Sequence, residues 1–343
     1  MNIRKSILSS IIFPLFIGML VGGMSSCGST KKSDGEQIVQ EPLGPTFIAD
    51  SAMAFCQAQC DFGPRTMNSK AHDLCEDWIA GKFESYGLEV TRQKADLKGW
   101  DGTMLHSTNI IARFNPEAMR RIIICAHWDS RPWADNDPDS TNWEKPVIAA
   151  NDGASGVGVM LEVARLLQKD TTVAIGIDFI CFDAEDYGTP QWVEQEGDNS
   201  DTWALGAQYF ASHYNEILAL SGENASYDYG ILLDMVGGQG AQFYRERFSM
   251  RYAAGVVDKV WAASRAAQQG SFFVDEEGGY ITDDHYPLNQ VAIPCIDIIP
   301  YYPDCEQSSF GPTWHTVIDD MEHLDPSSLK AVGQTLIQVI YGE

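Results

Sequence analysis

Apolar positions recur along this chain at two periods, and the period changes from segment to segment. Over residues 69–86 Leu74, Trp78, Ile79 and Phe83 fall at helical spacing, and Gly87 follows where a helix would stop. Similar spacing predicts helices at 47–60, 157–168, 202–214, 251–268 and 326–341. Strands are predicted at 88–93, 107–114, 121–126, 173–182, 230–235 and 292–300. The stretch 173–182 is almost continuously apolar, as a strand covered on both faces requires. From residue 121 onward strands and helices alternate. The pattern predicts an α/β fold: a single globular domain with a mostly parallel central sheet flanked by helices on both faces. No repeat of fixed period interrupts it.

The first residues follow a different logic. Arg4 and Lys5 precede an apolar run from Ile7 to Val21, which ends in Gly22-Gly23-Met24-Ser25-Ser26-Cys27. A basic start, an apolar middle and small residues before a cysteine describe a bacterial lipoprotein signal peptide, with Cys27 as the acylated anchor. An ordinary signal peptide with an incidental cysteine is the alternative. The expected organisation is a signal peptide over 1–26, a flexible tether over 27–44 and a catalytic domain over 45–343. It implies export to the periplasm or cell envelope and a membrane contact through the lipid.

Charge and sulfur narrow the function. The 343 residues carry 23 basic and 48 acidic side chains, a formal charge of −25. So acidic a surface repels nucleic acid and anionic headgroups, while it favours solubility and attracts cationic substrates such as peptides with a free amino terminus. Seven cysteines follow Cys27, and none forms a Cys-x-x-Cys pair, so a thiolate zinc site or a redox motif is not indicated. Cys125, Cys181 and Cys295 fall within apolar strands and read as core residues.

In parallel sheets ligands gather beyond the carboxyl ends of the strands. Those ends carry His127-Trp128-Asp129-Ser130, Asp183-Ala184-Glu185-Asp186, Asp234 and, after 292–300, Trp314-His315-Thr316. A further run, Ala150-Asn151-Asp152-Gly153-Ala154-Ser155-Gly156, opens a helix. Carboxylates and imidazoles without thiolates suit a catalytic zinc, which takes three protein ligands and leaves a position for substrate. Asp152, Asp186 and His315 are the ligand candidates. Each has a structural alternative: Asp152 as a helix cap, Glu185-Asp186 as a solvated pair, His315 as a core histidine. Trp128, Trp133 and Trp143 read as a surface loop at the mouth of the site, and His72, His106, His213 and His323 as ordinary residues.

At these positions the chain resembles the zinc-dependent aminopeptidase superfamily, in which His-x-Asp, Asn-Asp-Gly-x-x-Gly, Glu-Glu/Asp, Asp and a late His occur in this order. The likeness runs from about residue 45 to the end. Within that superfamily it is similar to the glutaminyl cyclases, through Asp283-Asp284-His285-Tyr286-Pro287, through Trp314 before His315, and through the strand 293–300. Trp192, six residues past Asp186, falls near a tryptophan of the cyclase pocket. Asp186 stands where animal cyclases have Glu, and Asp297 where they have His; the bacterial cyclases carry acids there too.

The resemblance implies one Zn2+ held by Asp152, Asp186 and His315, with Glu185 as general acid and base beside a carboxylate cluster of Asp234 and Asp283. Trp192 and Trp314 would bind substrate, a peptide or protein with N-terminal glutamine that is converted to pyroglutamate with loss of ammonia. The competing reading is a two-zinc aminopeptidase, for which His127 and Asp234 complete the second ion's ligands. A non-catalytic peptide-binding protein would use the same cleft and leave Glu185 idle.

Overall fold

The computed structural model describes residues 41–343, apart from 169, 195 and 196. The segment read as a signal peptide, its Cys27 and the tether up to residue 40 lie outside the described residues. Two helices come first, α1 (Ala49–Cys60) and α2 (Lys70–Ser85). Ser69 caps α2 by accepting the His72 amide. Gly87 ends it at φ +85°, donating to Glu84 while Leu88 reaches back to Phe83, so the last carbonyls are satisfied as the chain turns.

Strands β1 (Glu89–Lys98) and β2 (Met104–Phe114) form an antiparallel hairpin, followed by β3 (Arg120–His127). The alternating part comprises α3 (Ala154–Leu167), β4 (Gly176–Phe182), α4 (Leu205–Leu218) and β5 (Ser226–Leu233). A short ribbon, β6 (Phe243–Arg245) with β7 (Phe273–Glu277), brackets α5 (Arg247–Ala266). The chain closes with α6 (His285–Gln290), β8 (Cys295–Ile298) and α7 (Pro326–Ile340).

The main sheet has six strands in the order β1-β2-β4-β3-β5-β8. Pairs β4–β3, β3–β5 and β5–β8 are parallel, while β2 pairs antiparallel with β4 and with β1. The expected parallel sheet is therefore its central and far part, extended at one edge by a hairpin. Side chains of β3 alternate between two cores. Ile122, Ile124 and Ala126 pack beneath α1, α2, α3, α5 and α7, whereas Ile123 and Cys125 pack beneath α4 and α6. Helices thus cover both faces. The domain's leading edge is pinned as well: Leu43 and Phe47 donate their amides to Gln338 and Gln334 of α7.

At the amino ends of the parallel strands lies a buried ion pair. Arg121 and Asp178 are both fully buried, with Nε donating to Oδ1 at 3.0 Å. Arg121 also donates to the carbonyls of Asn115 and Ala118, and the Tyr227 hydroxyl donates to Asp178 at 2.6 Å. A Cβ on Gly176 would lie 2.3 Å from Arg121 Nη1, so glycine opens the space the guanidinium fills. Removing one member of such a pair strands a buried charge. Arg121→Met should cost about 3–5 kcal/mol in urea unfolding, and Asp178→Asn added to it should recover part of that loss. Equal stability of Arg121→Met and the parent protein would contradict this view of the pair.

Candidate metal centre and reaction pocket

The opposite edge of the sheet gathers the chemistry. His127 ends β3, Glu185 and Asp186 follow β4, Asp234 follows β5, and Asp152 precedes α3. Asp152 does not cap α3; Gly153 holds the cap position at φ +102°. A Cβ on Gly153 would meet the Asp129 carbonyl at 2.8 Å and His127 Cε1 at 3.0 Å. One on Gly156 would meet the Leu233 carbonyl at 2.4 Å, so both glycines let the helix start close against β3 and β5. Asn151 accepts the Gly237 amide, and Val236 donates to Ser155 Oγ, which ties the helix start to the turn that carries Asp234.

Two loops aim the remaining donors. The Asp129 carboxylate accepts the amides of Glu185 and Asp186, each at 3.1 Å, and fixes the turn after β4. Arg131 donates to the Asp186 carbonyl at 2.9 Å and, through Nη2, to Asp135 at 2.7 Å. Asn136 donates its amide to the His315 carbonyl and its side chain to the Trp314 carbonyl, holding the late loop in place. Ala149, Ala184, Met235 and His315 adopt φ between +48° and +58°. Left-handed backbone at non-glycine residues is costly, and here it concentrates beside the donor groups.

Asp152, Asp186 and His315 bring one donor atom each to within 4.8 Å of the others. His315 Nε2 lies 3.1 Å from Asp186 and 3.6 Å from Asp152. These separations bracket the edge of about 3.3 Å expected for a tetrahedron with zinc–ligand bonds of about 2.0–2.1 Å. Both carboxylate oxygens of Asp186 are buried without a hydrogen-bond partner. A buried carboxylate left so needs a proton or a cation, and Asp284 and Asp297 share that condition, whereas Asp186 alone of the three belongs to a trio with His315. Behind His315, Asp135 faces Nδ1 at 3.3 Å, the arrangement that presents Nε2 to a metal. The residues therefore fit a divalent cation with oxygen and nitrogen preference, as zinc has.

A second trio, His127, Asp152 and Asp234, shares Asp152. Its imidazole stands among carboxylates as well. His127 Nε2 is hydrogen-bonded to Asp152 at 2.9 Å and lies 3.2 Å from Asp234, and Asp129 stands 3.5 Å from Nδ1. Burial disfavours charge on that ring, yet the carboxylates on both sides hold its pKa well above the ordinary value.

The acids themselves are pushed up. Burial raises Glu185 well above the usual range, with Asp186, Asp283 and Asp284 adding and His127 opposing. Burial and then Asp283 bring Asp234 to about 7. Burial also raises Asp283, against His285 and His127. For His315 burial works the other way, but Asp186 and Asp135 carry it to about 9. Protons or a metal must balance this excess of buried negative charge.

A pocket of about 60 Å³ opens over the first trio. Glu185, Asp234 and Asp283 border it together with Asp152, Asp186 and His315, and Trp203, Ile299, Phe310 and Trp314 form apolar walls. Trp314 stacks on the His315 ring at 3.9 Å, and Trp203 lies parallel to it at 6.1 Å. The residues expected at the site are thus brought together, with the exception of Trp192. That side chain is 39% exposed and stacks on Trp143 at 6.1 Å in an outer aromatic patch, and Trp203 lines the pocket instead.

The loop after β3 also departs from expectation in part. It buries Trp128 together with Asp129, Arg131 and Asp135, whereas Trp133 and Trp143 are half-buried and join Trp192 in the outer aromatic patch, as a rim would. Trp128 stacks on His72 at 4.1 Å, and His72 pairs with Asp183 at 2.8 Å, so this histidine is a buried structural partner. Asp135 and Asp319 went unnoticed in the sequence. Asp319 accepts the amides of Asn151 and Asp152. A signal for Asp135 existed in its i,i+4 spacing from Arg131, directly after the strand end. All seven cysteines among the described residues are free thiols, and six of them are buried.

A mixed sheet with carboxylates and imidazoles at its carboxyl edge defines a metal-dependent α/β enzyme class. The sequence pattern of peptidase family M28 matches residues 109–340, and the chain belongs to that zinc-dependent family. A solved Bacteroides thetaiotaomicron glutaminyl cyclase bound to N-acetylhistamine is 47% identical, with a TM-score of 0.82 over 88% of this chain and 100% of that one. A leucine aminopeptidase precursor from the same species is also 47% identical, with a TM-score of 0.81 over 88% and 99%. The aminopeptidase YwaD of Bacillus subtilis is 28% identical over 77% of this chain, and the Bos taurus glutaminyl-peptide cyclotransferase 25% identical over 67%. The chain spans 50% of the first relative's length and 64% of the second's.

Asp135 orients His315 without bordering the pocket, so its loss should weaken the metal more than it reshapes the site. Asp135→Ala should lower zinc affinity by about 10–100-fold in competition with a chromophoric chelator. Unchanged affinity would remove Asp135 from the metal's support.

Proposed function

We propose that this protein is a glutaminyl-peptide cyclotransferase, closing N-terminal glutamine of peptides and proteins to pyroglutamate with release of ammonia. One observation carries the reading. Glu185 and the Asp152–Asp186–His315 trio open into one small aromatic-walled pocket, while His127 of the second trio is engaged by Asp152 and Asp234. A reaction that consumes no water needs one metal, an acid–base group and a snug apolar enclosure. The structural neighbour named as a glutaminyl cyclase supports the same reading.

Asp152, Asp186 and His315 would hold a single Zn2+, which when bound supplies Lewis-acid polarisation of the glutamine side-chain amide. The substrate already carries both reacting groups, so the walls need only fold the side chain back toward its own α-amine. Glu185 accepts a proton from that amine as the new N–C bond forms to the amide carbon. It then donates the proton to the side-chain nitrogen as the old C–N bond breaks, and ammonia leaves. Its raised pKa, caused first by burial, suits a group that must take up a proton and return it. Asp234 and Asp283, both raised, share protons beside it and keep negative charge from accumulating. Trp314 and Phe310 exclude water from the ring closure.

A two-metal aminopeptidase is the second reading, favoured by the His127–Asp152–Asp234 trio and by the neighbour named as a leucine aminopeptidase. The leader over 1–26 with Cys27 extends the proposal to an exported, lipid-anchored enzyme of the periplasm or cell envelope acting on exported polypeptides. The strongly acidic surface argues for peptide rather than nucleic-acid partners.

Zinc-replete protein incubated with a glutaminyl dipeptide should release ammonia and no free amino acid. Glu185→Gln should slow that release by about 10²–10⁴-fold at unchanged zinc content. Free amino acid without ammonia would establish the aminopeptidase reading.

A further inference from the structure

Trp203 and Thr282 border the reaction pocket and, at the same time, a second cavity that the chemistry above leaves unused. This cavity measures about 370 Å³, several times the volume of the first. Ala211 of α4 and Tyr286 and Pro287 of α6 contribute to a lining that is mainly apolar. Asp201 is the one charged residue on its wall, and it is exposed. A roomy apolar recess with one polar edge, next to a catalytic pocket, has the character of a ligand subsite.

We propose that this cavity receives the side chain of the residue that follows the N-terminal glutamine, and that it selects an apolar or aromatic one. The inference rests on the cyclase reading and names the substrate class more closely. The reaction pocket has room for little beyond one short side chain, so the peptide must leave it at once. Successive Cα atoms lie about 3.8 Å apart, so the second residue emerges beside whatever forms the pocket's wall. Trp203 and Thr282 form one side of that wall and line the larger cavity as well, so a chain leaving on that side meets it. An apolar side chain entering there releases water from apolar surface, whereas an acidic one approaches Asp201 in an already acidic protein.

The test compares ammonia release from the C-terminal amides of Gln-Gly, Gln-Leu, Gln-Phe and Gln-Glu. Amides keep a free carboxylate from confusing the charge effect. Zinc-replete enzyme should show kcat/KM for Gln-Leu and Gln-Phe roughly tenfold or more above Gln-Gly, with Gln-Glu below it. Ala211→Leu narrows the cavity from α4, and Gln290→Trp does so from an exposed position on α6 where folding is not at stake. Each should bring the Gln-Phe to Gln-Gly ratio toward one. Equal rates for all four amides in the unaltered enzyme overturn the assignment while leaving the cyclase reading intact. So does an apolar preference that survives both substitutions. Free amino acid without ammonia from every peptide overturns the cyclase reading and the assignment with it.

Discussion

Carboxylates withdrawn from water need positive charge or protons, and that requirement organises one whole edge of this protein. Asp129, Asp152, Glu185, Asp186, Asp234 and Asp283 are all buried at the carboxyl ends of the strands. Arg131 and the His127 ring lie among them, backbone amides stabilise Asp129, and burial pushes up the pKa of Asp234 and Glu185. The Asp186 carboxylate has no hydrogen bond, with His315 Nε2 at 3.1 Å and Arg131 Nη1 at 3.8 Å, and the buried carboxylates of Asp284 and Asp297 are likewise without one. A divalent cation between Asp152, Asp186 and His315, as proposed above, would offset part of the charge that the chain's own groups leave open.

The two ends of the sheet divide the work. At the amino ends Arg121 and Asp178 satisfy each other directly, and the ring of carbonyls around the guanidinium leaves no room for a ligand. At the carboxyl ends a further set of residues holds the donors in place. Asp135 stands behind His315, Asp319 beneath Asp152, and Asp129 beneath Glu185 and Asp186. Left-handed backbone at Ala184, Met235 and His315 lies at this edge, where tight turns point their side chains back over the strands. Such an edge is a place for chemistry, and the other is a place for stability.

Much of this was legible in the sequence because it is written in local pattern. Periodicity found each principal helix and strand, and the rule that ligands gather at strand ends brought Asp152, Glu185, Asp186, Asp234 and His315 onto one short list. What escaped depends on long-range packing. The ribbon β6–β7 and the two-turn α6 are too short to show a period. The β1–β2 hairpin extends the sheet antiparallel, a pairing set by the tight Gly99–Gly102 turn rather than by its apolar content. Trp192 and Trp203 are both tryptophans near polar loops; only the return of the chain into α4 turns Trp203 toward His315. Trp128, Asp129 and Asp135 sit in a segment whose prolines and acids read as surface, yet Arg65 donates to the carbonyls of Trp128, Ile148 and Ala149 and draws the loop inward.

Where the cation sits separates a one-metal from a two-metal site. Anomalous diffraction at the zinc edge from crystals of the zinc-titrated, full-length protein would locate it directly. One peak within about 2.0–2.2 Å of Asp152, Asp186 and His315, with His127 hydrogen-bonded to Asp152 and free of metal, is the expected result. A second peak of equal weight between His127 and Asp234, or a lone peak away from Asp186, would contradict it.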